Sequence, residues 1–213
     1  MRKIRRVKIT IHHKEIARRL SRLKCDLKAA GLEGDLQVRE FISGLAARLE
    51  AGTVFDSFDK DFTGFAGTGL PEKCFFTAAA ATLGEQFSSH VTAQTDPAIK
   101  AAAMVAGYEF LETAAELVCE IAAEEAAKEN FNLGPYEIVR APLLEQPQDI
   151  KVPLPVFIRE SGAFPPETAE TALPPLFERL NAPKIAVATN NGVLSPAFTV
   201  VFIRKWQSRK KGR

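Results

Sequence analysis

From Asp96 to Asn130 the chain carries no proline after Pro97 and a single glycine, Gly107, in a run rich in alanine and glutamate. Asp is a strong helix N-cap, and proline suits the first helical turn because its missing N–H would find no partner there. The run therefore predicts one long helix from Ala98 to about Asn130, with Gly107 as a kink or a point of close approach.

The flanking segments read as a sheet with shorter helices. Arg5 to Ile11 sets apolar Val7, Ile9 and Ile11 between polar residues, the period of a strand with one wet face. Ile16, Leu20, Leu23 and Leu27 recur every three or four residues from Lys14 to Gly31. Val38, Phe41, Ile42, Leu45 and Leu49 do the same before Gly52, so two amphipathic helices are predicted. Val54 to Phe58 and the apolar run Phe75 to Ala81 read as strands, and the second turns into a helix at Glu85. Pro142, Pro147, Pro153 and Pro155 exclude helix between Tyr136 and Ile158, while a helix after Pro166 is predicted to be kinked or split at Pro174 and Pro175. Lys184 to Thr189 and Ala197 to Ile203 are the last predicted strands, separated by the turn Asn190-Asn191-Gly192. The expected fold class is α+β: a single domain over residues 1–203, with a twisted antiparallel or mixed sheet and helices packed on it. Residues 204–213 are read as a basic, poorly ordered tail.

With 46% hydrophobic and 25% charged residues over 213 positions, the chain has the composition of a folded domain and not of a disordered one. No apolar run approaches the roughly 20 residues that cross a bilayer. The basic start has no apolar signal core behind it, so a cytoplasmic location without a membrane partner is expected. Cys25, Cys74 and Cys119 are too few and too widely spaced for a disulfide framework or a zinc site, and are read as reduced, mostly buried thiols. Charge is segregated. Residues 1–30 hold eleven Lys and Arg against two acids, residues 204–213 hold six against none, and the body between them is acidic. Such ends suit phosphate, an acidic partner, or the protein's own acidic body.

No self-sufficient catalytic set emerges from the residue pattern. His12 and His13 are adjacent, and on a strand they would point to opposite faces and share no metal ion. His90 has no spaced partner that would argue for a triad. Gly64, Gly67 and Gly69 lack the lysine and the strand-to-helix setting of a phosphate loop. Glu109, Glu112, Glu116 and Glu120 form one stripe at helical spacing, which reads as a solvated face. Arg2, Lys3, Arg5, Arg6 and Lys8 are candidate phosphate contacts, but only Trp206 offers an aromatic for base stacking near either basic end.

Cys74, Ala79-Ala80-Ala81-Thr82-Leu83-Gly84, Asp96, and Gly107 followed by Glu112 occur in an order that resembles the stand-alone relatives of the activation domain of cobalamin-dependent methionine synthase. Ala188-Thr189-Asn190-Asn191, Pro196 and Phe198 to Phe202 resemble that domain's later turn, proline and closing strand. The resemblance implies a protein that binds S-adenosylmethionine in a shallow groove and acts in trans on a corrinoid protein. It would then serve cobalamin (vitamin B12) reactivation in methyltransferase chemistry and methionine biosynthesis, with cobalamin met only through the partner. Cobalt and sulfonium would supply the difficult chemistry, and the protein position and electrostatics. The ligand groove it implies would be formed by Arg140, Pro142, Thr189, Asn190 and Asn191, bordered by Thr82 and Glu112. Leu144 and Glu145 stand where that pattern has glycine and tyrosine, and Asn190 where it has glutamate, so S-adenosylmethionine binding is expected to be weak or absent. The alternative expectation is a binding or scaffold protein that uses its basic ends on an acidic partner or nucleic acid.

Overall fold

A computed structural model describes residues 2–209 apart from Arg6, Lys24, Cys25 and Ala29. The reading of Cys25 therefore lies outside the described residues. The elements run β1 (Arg2–Arg5), α1 (His13–Leu20), α2 (Asp35–Ala46), β2 (Gly52–Phe58), β3 (Phe76–Thr82), α3 (Glu85–Thr92), α4 (Pro97–Lys128) and β4 (Phe131–Arg140). After them come α5 (Val156–Arg159), β5 (Gly162–Ala163), α6 (Pro166–Leu180), a 3-10 turn (Ala182–Ile185), β6 (Ala188–Asn190), β7 (Val193–Ser195) and β8 (Thr199–Ser208).

Six strands form one sheet in the order β1-β2-β3-β8-β4-β5, antiparallel except for β4 with β5, and β6 and β7 form a separate hairpin. The protein is a single α+β domain with a curled mixed sheet. Alternation along the inner strands divides the core in two. Phe55, Ala79, Ala81, Val200 and Phe202 face the side of α4, whereas Val54, Ala78, Ala80, Val201 and Ile203 face α6.

Helix α4 begins as its sequence dictates, with Asp96 Oδ1 accepting from the N–H groups of Ala98 (2.8 Å) and Ile99 (3.0 Å). Its 32 residues span about 48 Å. Every residue from Ala101 to Leu111 is buried, so this three-turn stretch of α4 has no wet face. The sheet covers one side, and α1, α2 and α3 pack over the rest. A Cβ at Gly107 would lie 2.5 Å from the Phe198 ring and 2.8 Å from that of Phe87, which makes Gly107 a point of close approach.

Several boundaries differ from the expectation. The first strand is Arg2–Arg5 and not Arg5 to Ile11, because its partner β2 starts at Gly52, opposite Arg5; beyond it, among the described residues, Val7 N–H bonds Ala51 O at 2.9 Å. Helix α1 stops at Leu20, where Ser21 turns its hydroxyl back onto Arg18 O, and does not continue to Gly31. Helix α6 passes through Pro174 and Pro175 without a break. The carbonyls those prolines cannot bond belong to Glu170 and Thr171, which are exposed and reach water. Strand β8 continues to Ser208, so the stretch 204–213 is not all tail. Trp206 donates its indole N–H to Thr77 Oγ1 at 2.9 Å and stacks on Phe75, anchoring that extension. The last four positions, 210–213, lie outside the described residues.

Candidate functional site

Arg140 ends β4 opposite Val201, after a register shift that follows Ile138, and Thr82 ends β3 opposite Thr199. These two residues therefore stand at the same end of the sheet, on the two neighbours of β8. Thr189 and Asn190 belong to β6, and the turn that follows places Asn191 (φ 49°) and Gly192 (φ 73°) in left-handed conformation, the pair that a two-residue hairpin loop requires. The hairpin rests on α6: a Cβ at Gly192 would lie 3.2 Å from Glu170 Cγ.

Arg140 Nε and Thr189 Oγ1 are both buried without a hydrogen-bond partner. Among the described residues no hydrogen bond or ion pair joins Arg140 to the hairpin. Pro142 is buried, while Asn190 and Asn191 are exposed. Thr82 is fully buried, accepting from Gly84 N–H at 3.2 Å and from the Thr199 hydroxyl at 2.9 Å, so its oxygen ties strand ends together. Leu144 packs against the α4 side of the core, and the exposed Glu145 carboxylate lies 3.8 Å from Lys100 Nζ.

Glu112 does not border this end of the hairpin. Its carboxylate accepts from Arg19 Nη2 at 2.9 Å, on the face of the sheet opposite α6. Arg19 also bonds Glu15 Oε1 through Nε at 3.0 Å and lies 2.9 Å from Glu109 Oε2. That last contact is an ion pair without hydrogen-bond alignment, since Glu109 Oε2 has no aligned donor. His12 Nδ1 is 3.5 Å from the other Glu109 oxygen. The glutamate stripe is thus not a solvated face over its first half: Glu109 is 5% exposed because α1 lies across it. Burial raises the pKa of Glu109 against the opposing pull of Arg19, and raises that of Glu116 as well. Hydrogen bonds from Arg18 and Arg19 hold the Glu15 carboxyl down to about 2.

Beside this network a cavity of about 530 Å³ opens between α1, α4 and the segment 149–159. Val105, Tyr108 and Leu154 contribute apolar walls, and Arg18, Arg19, Arg22, Lys151 and Arg159 bring positive charge against Glu15 and Asp149. Sequence reading missed Arg22, Tyr108, Lys151 and Leu154. The Arg18/Arg22 pair four residues apart was the one available signal, and its partners lie in a proline-rich segment more than a hundred residues away. A wider depression on the other side of Arg18 is lined by His12, His13, Lys14, Arg39 and Ser43, so the basic surface runs along the length of α1.

Among the described residues, Cys74 and Cys119 offer no activated nucleophile. Cys119 is buried and donates to Tyr136 Oη at 3.1 Å, and burial raises the pKa of Cys74. Among the described residues no group of His, Cys, Asp and Glu is placed to hold a metal ion, and no helix is long and apolar enough to cross a membrane. The fold is a single compact α+β domain. Set against family models and curated proteins, the chain matches none.

Proposed function

We propose that this protein is an accessory with an activation-domain-like role, working in trans on a corrinoid-bearing partner in methyl transfer. Its S-adenosylmethionine groove would lie where Arg140 and the Thr189-Asn190 hairpin meet the end of the sheet. The observation that carries the reading is the pair of buried polar atoms without partners, Arg140 Nε and Thr189 Oγ1. A buried donor or acceptor left unsatisfied costs about 1–3 kcal/mol, so a ligand that bonds to it recovers free energy. An arginine also suits the carboxylate of an amino-acid moiety.

Leu144, Glu145 and Asn190 weaken this groove in the chain as it stands. Calorimetry should find S-adenosylmethionine binding weak or undetectable in the natural protein and stronger in the triple variant Leu144→Gly, Glu145→Tyr, Asn190→Glu. Leu144 is half-buried against the core, so its removal destabilises by about 1–2 kcal/mol, and the variant's fold must be checked by its melting transition. Tight binding by the natural protein would overturn the account of the three substitutions. A folded triple variant that binds nothing would remove the groove itself. A second reading, a scaffold that meets an acidic partner, is favoured by the basic surface along α1; binding of that kind should weaken steeply with salt.

A further inference from the structure

The cavity between α1, α4 and the segment 149–159 is independent of the Arg140 end of the sheet and has a different chemistry. Its volume, about 530 Å³, falls within the roughly 300–1,000 Å³ typical of small-molecule sites. Five cations line it against two acids, but they are not equivalent. Arg18 is clamped by Glu15 in a bidentate pair, at 2.8 Å and 2.6 Å, and Arg19 is occupied by Glu15, Glu109 and Glu112. Arg159 lies 3.5 Å from Glu160. Arg22 and Lys151 have no ion-pair or side-chain hydrogen-bond partner among the described residues, so neither cation at the cavity is tied to a carboxylate, although Asp149 also lines it. The floor adds a second, separate observation. Tyr108 lines the cavity while being only 2% exposed, so it belongs to the core as well as to the wall. Burial pushes its pKa up to about 12, so at neutral pH it remains a phenol able to donate.

We propose that this cavity binds an amphipathic anion, with a carboxylate or phosphate head held by Arg22 and Lys151 and an apolar body lying on Val105, Tyr108 and Leu154. Charge sign separates this ligand from S-adenosylmethionine, whose sulfonium and ammonium groups outweigh its one carboxylate and would be repelled here. Failure of either site to bind therefore leaves the other proposal standing. The clamped arginines have a different part: by holding Arg18 and Arg19 in place, Glu15 fixes the wall of the cavity and leaves Arg22 as the contact not tied to a carboxylate.

Calorimetry with decanoate, decyl phosphate and decyltrimethylammonium compares one tail under three heads. Decanoate or decyl phosphate should bind at a single site, and whichever binds tighter assigns the head as carboxylate or phosphate. The cation should bind at least about tenfold more weakly, a difference of roughly 1.4 kcal/mol. The double variant Arg22→Ala, Lys151→Ala should lose at least about tenfold in affinity for the anion. Both side chains are exposed, so its melting temperature without ligand should stay unchanged. Leu154→Asp, at a position 38% exposed, should abolish binding by placing a carboxylate on the apolar wall. The proposal is overturned if neither anion binds, if the cation binds as tightly as the anions, or if the double variant or Leu154→Asp retains full affinity.

Discussion

At Arg19 three carboxylates, from Glu15, Glu109 and Glu112, converge on one guanidinium between α1 and α4. Removing the cation would leave Glu109 buried beside Glu112, with only the more distant His12 near it. Arg19→Ala should therefore destabilise the protein by about 3 kcal/mol in urea unfolding, and adding Glu109→Gln should restore part of that loss. Acid and neutral pH act on the network with opposite signs. Glu15, whose folded pKa is depressed, contributes stability that is present above its ordinary value of 4.5 and lost as the pH falls from there toward about 2. Glu109, whose folded pKa is raised, contributes stability that is full below 4.5 and lost as the pH rises through its raised value. In Glu109→Gln the limb below 4.5 should persist and the limb above it should flatten; an unchanged upper limb would show that Glu109 is not its source. The burial of Glu109 was not legible in the sequence. A three-or-four-residue stripe of glutamates has the same spacing whether water or another helix covers it, and only the packing of α1 decides.

Elements were legible where a local signal sufficed. Asp96-Pro97 opens α4, Gly107 is a close contact, and Asn190-Asn191-Gly192 is a turn, each from a property of the residues themselves; that turn joins β6 to β7, however, and not the expected strands Lys184 to Thr189 and Ala197 to Ile203. Elements set by their partners were misread. The first strand was expected three residues too late, because its limits are fixed by where β2 begins. Helix α1 was expected too long, because Leu23 and Leu27 pack on the core without being helical. The Arg140 end of the sheet was named from resemblance, whereas the cavity beside α1 is assembled from segments that no spacing rule connects. Gly107 allows a quantitative test. Replacing a helical glycine by alanine gains about 1 kcal/mol of helix propensity, but overpacking a filled core costs about 1–3 kcal/mol. Gly107→Val adds more volume against Phe198 and Phe87 and gains less propensity, so packing wins. Its thermal midpoint should drop by the equivalent of about 2–3 kcal/mol, with Gly107→Ala closer to neutral. A valine variant as stable as the natural protein would mean that the two rings yield freely.

Across the whole molecule, the sheet is the shared wall of both apolar clusters, since successive residues of β2, β3 and β8 alternate between them. Neither cluster can melt without stripping one side of the same strands. Calorimetry should therefore show one transition with matching calorimetric and van't Hoff enthalpies, and two resolved transitions would contradict this dependence. The middle of that wall is β3, which presents Ala78, Ala79, Ala80 and Ala81 to both helical layers, each fully buried. Alanine has little intrinsic preference for strand, so β3 takes its conformation from the strands on either side. One of these, β8, meets it across a separation of 117 residues at Thr82 and Thr199. On a ribosome adding about 5–20 residues per second, β3 is made roughly 6–23 s before its partner exists. During that interval the nascent chain exposes an apolar strand with one open edge, and the protein's solubility at birth depends on what shields that edge until β8 arrives.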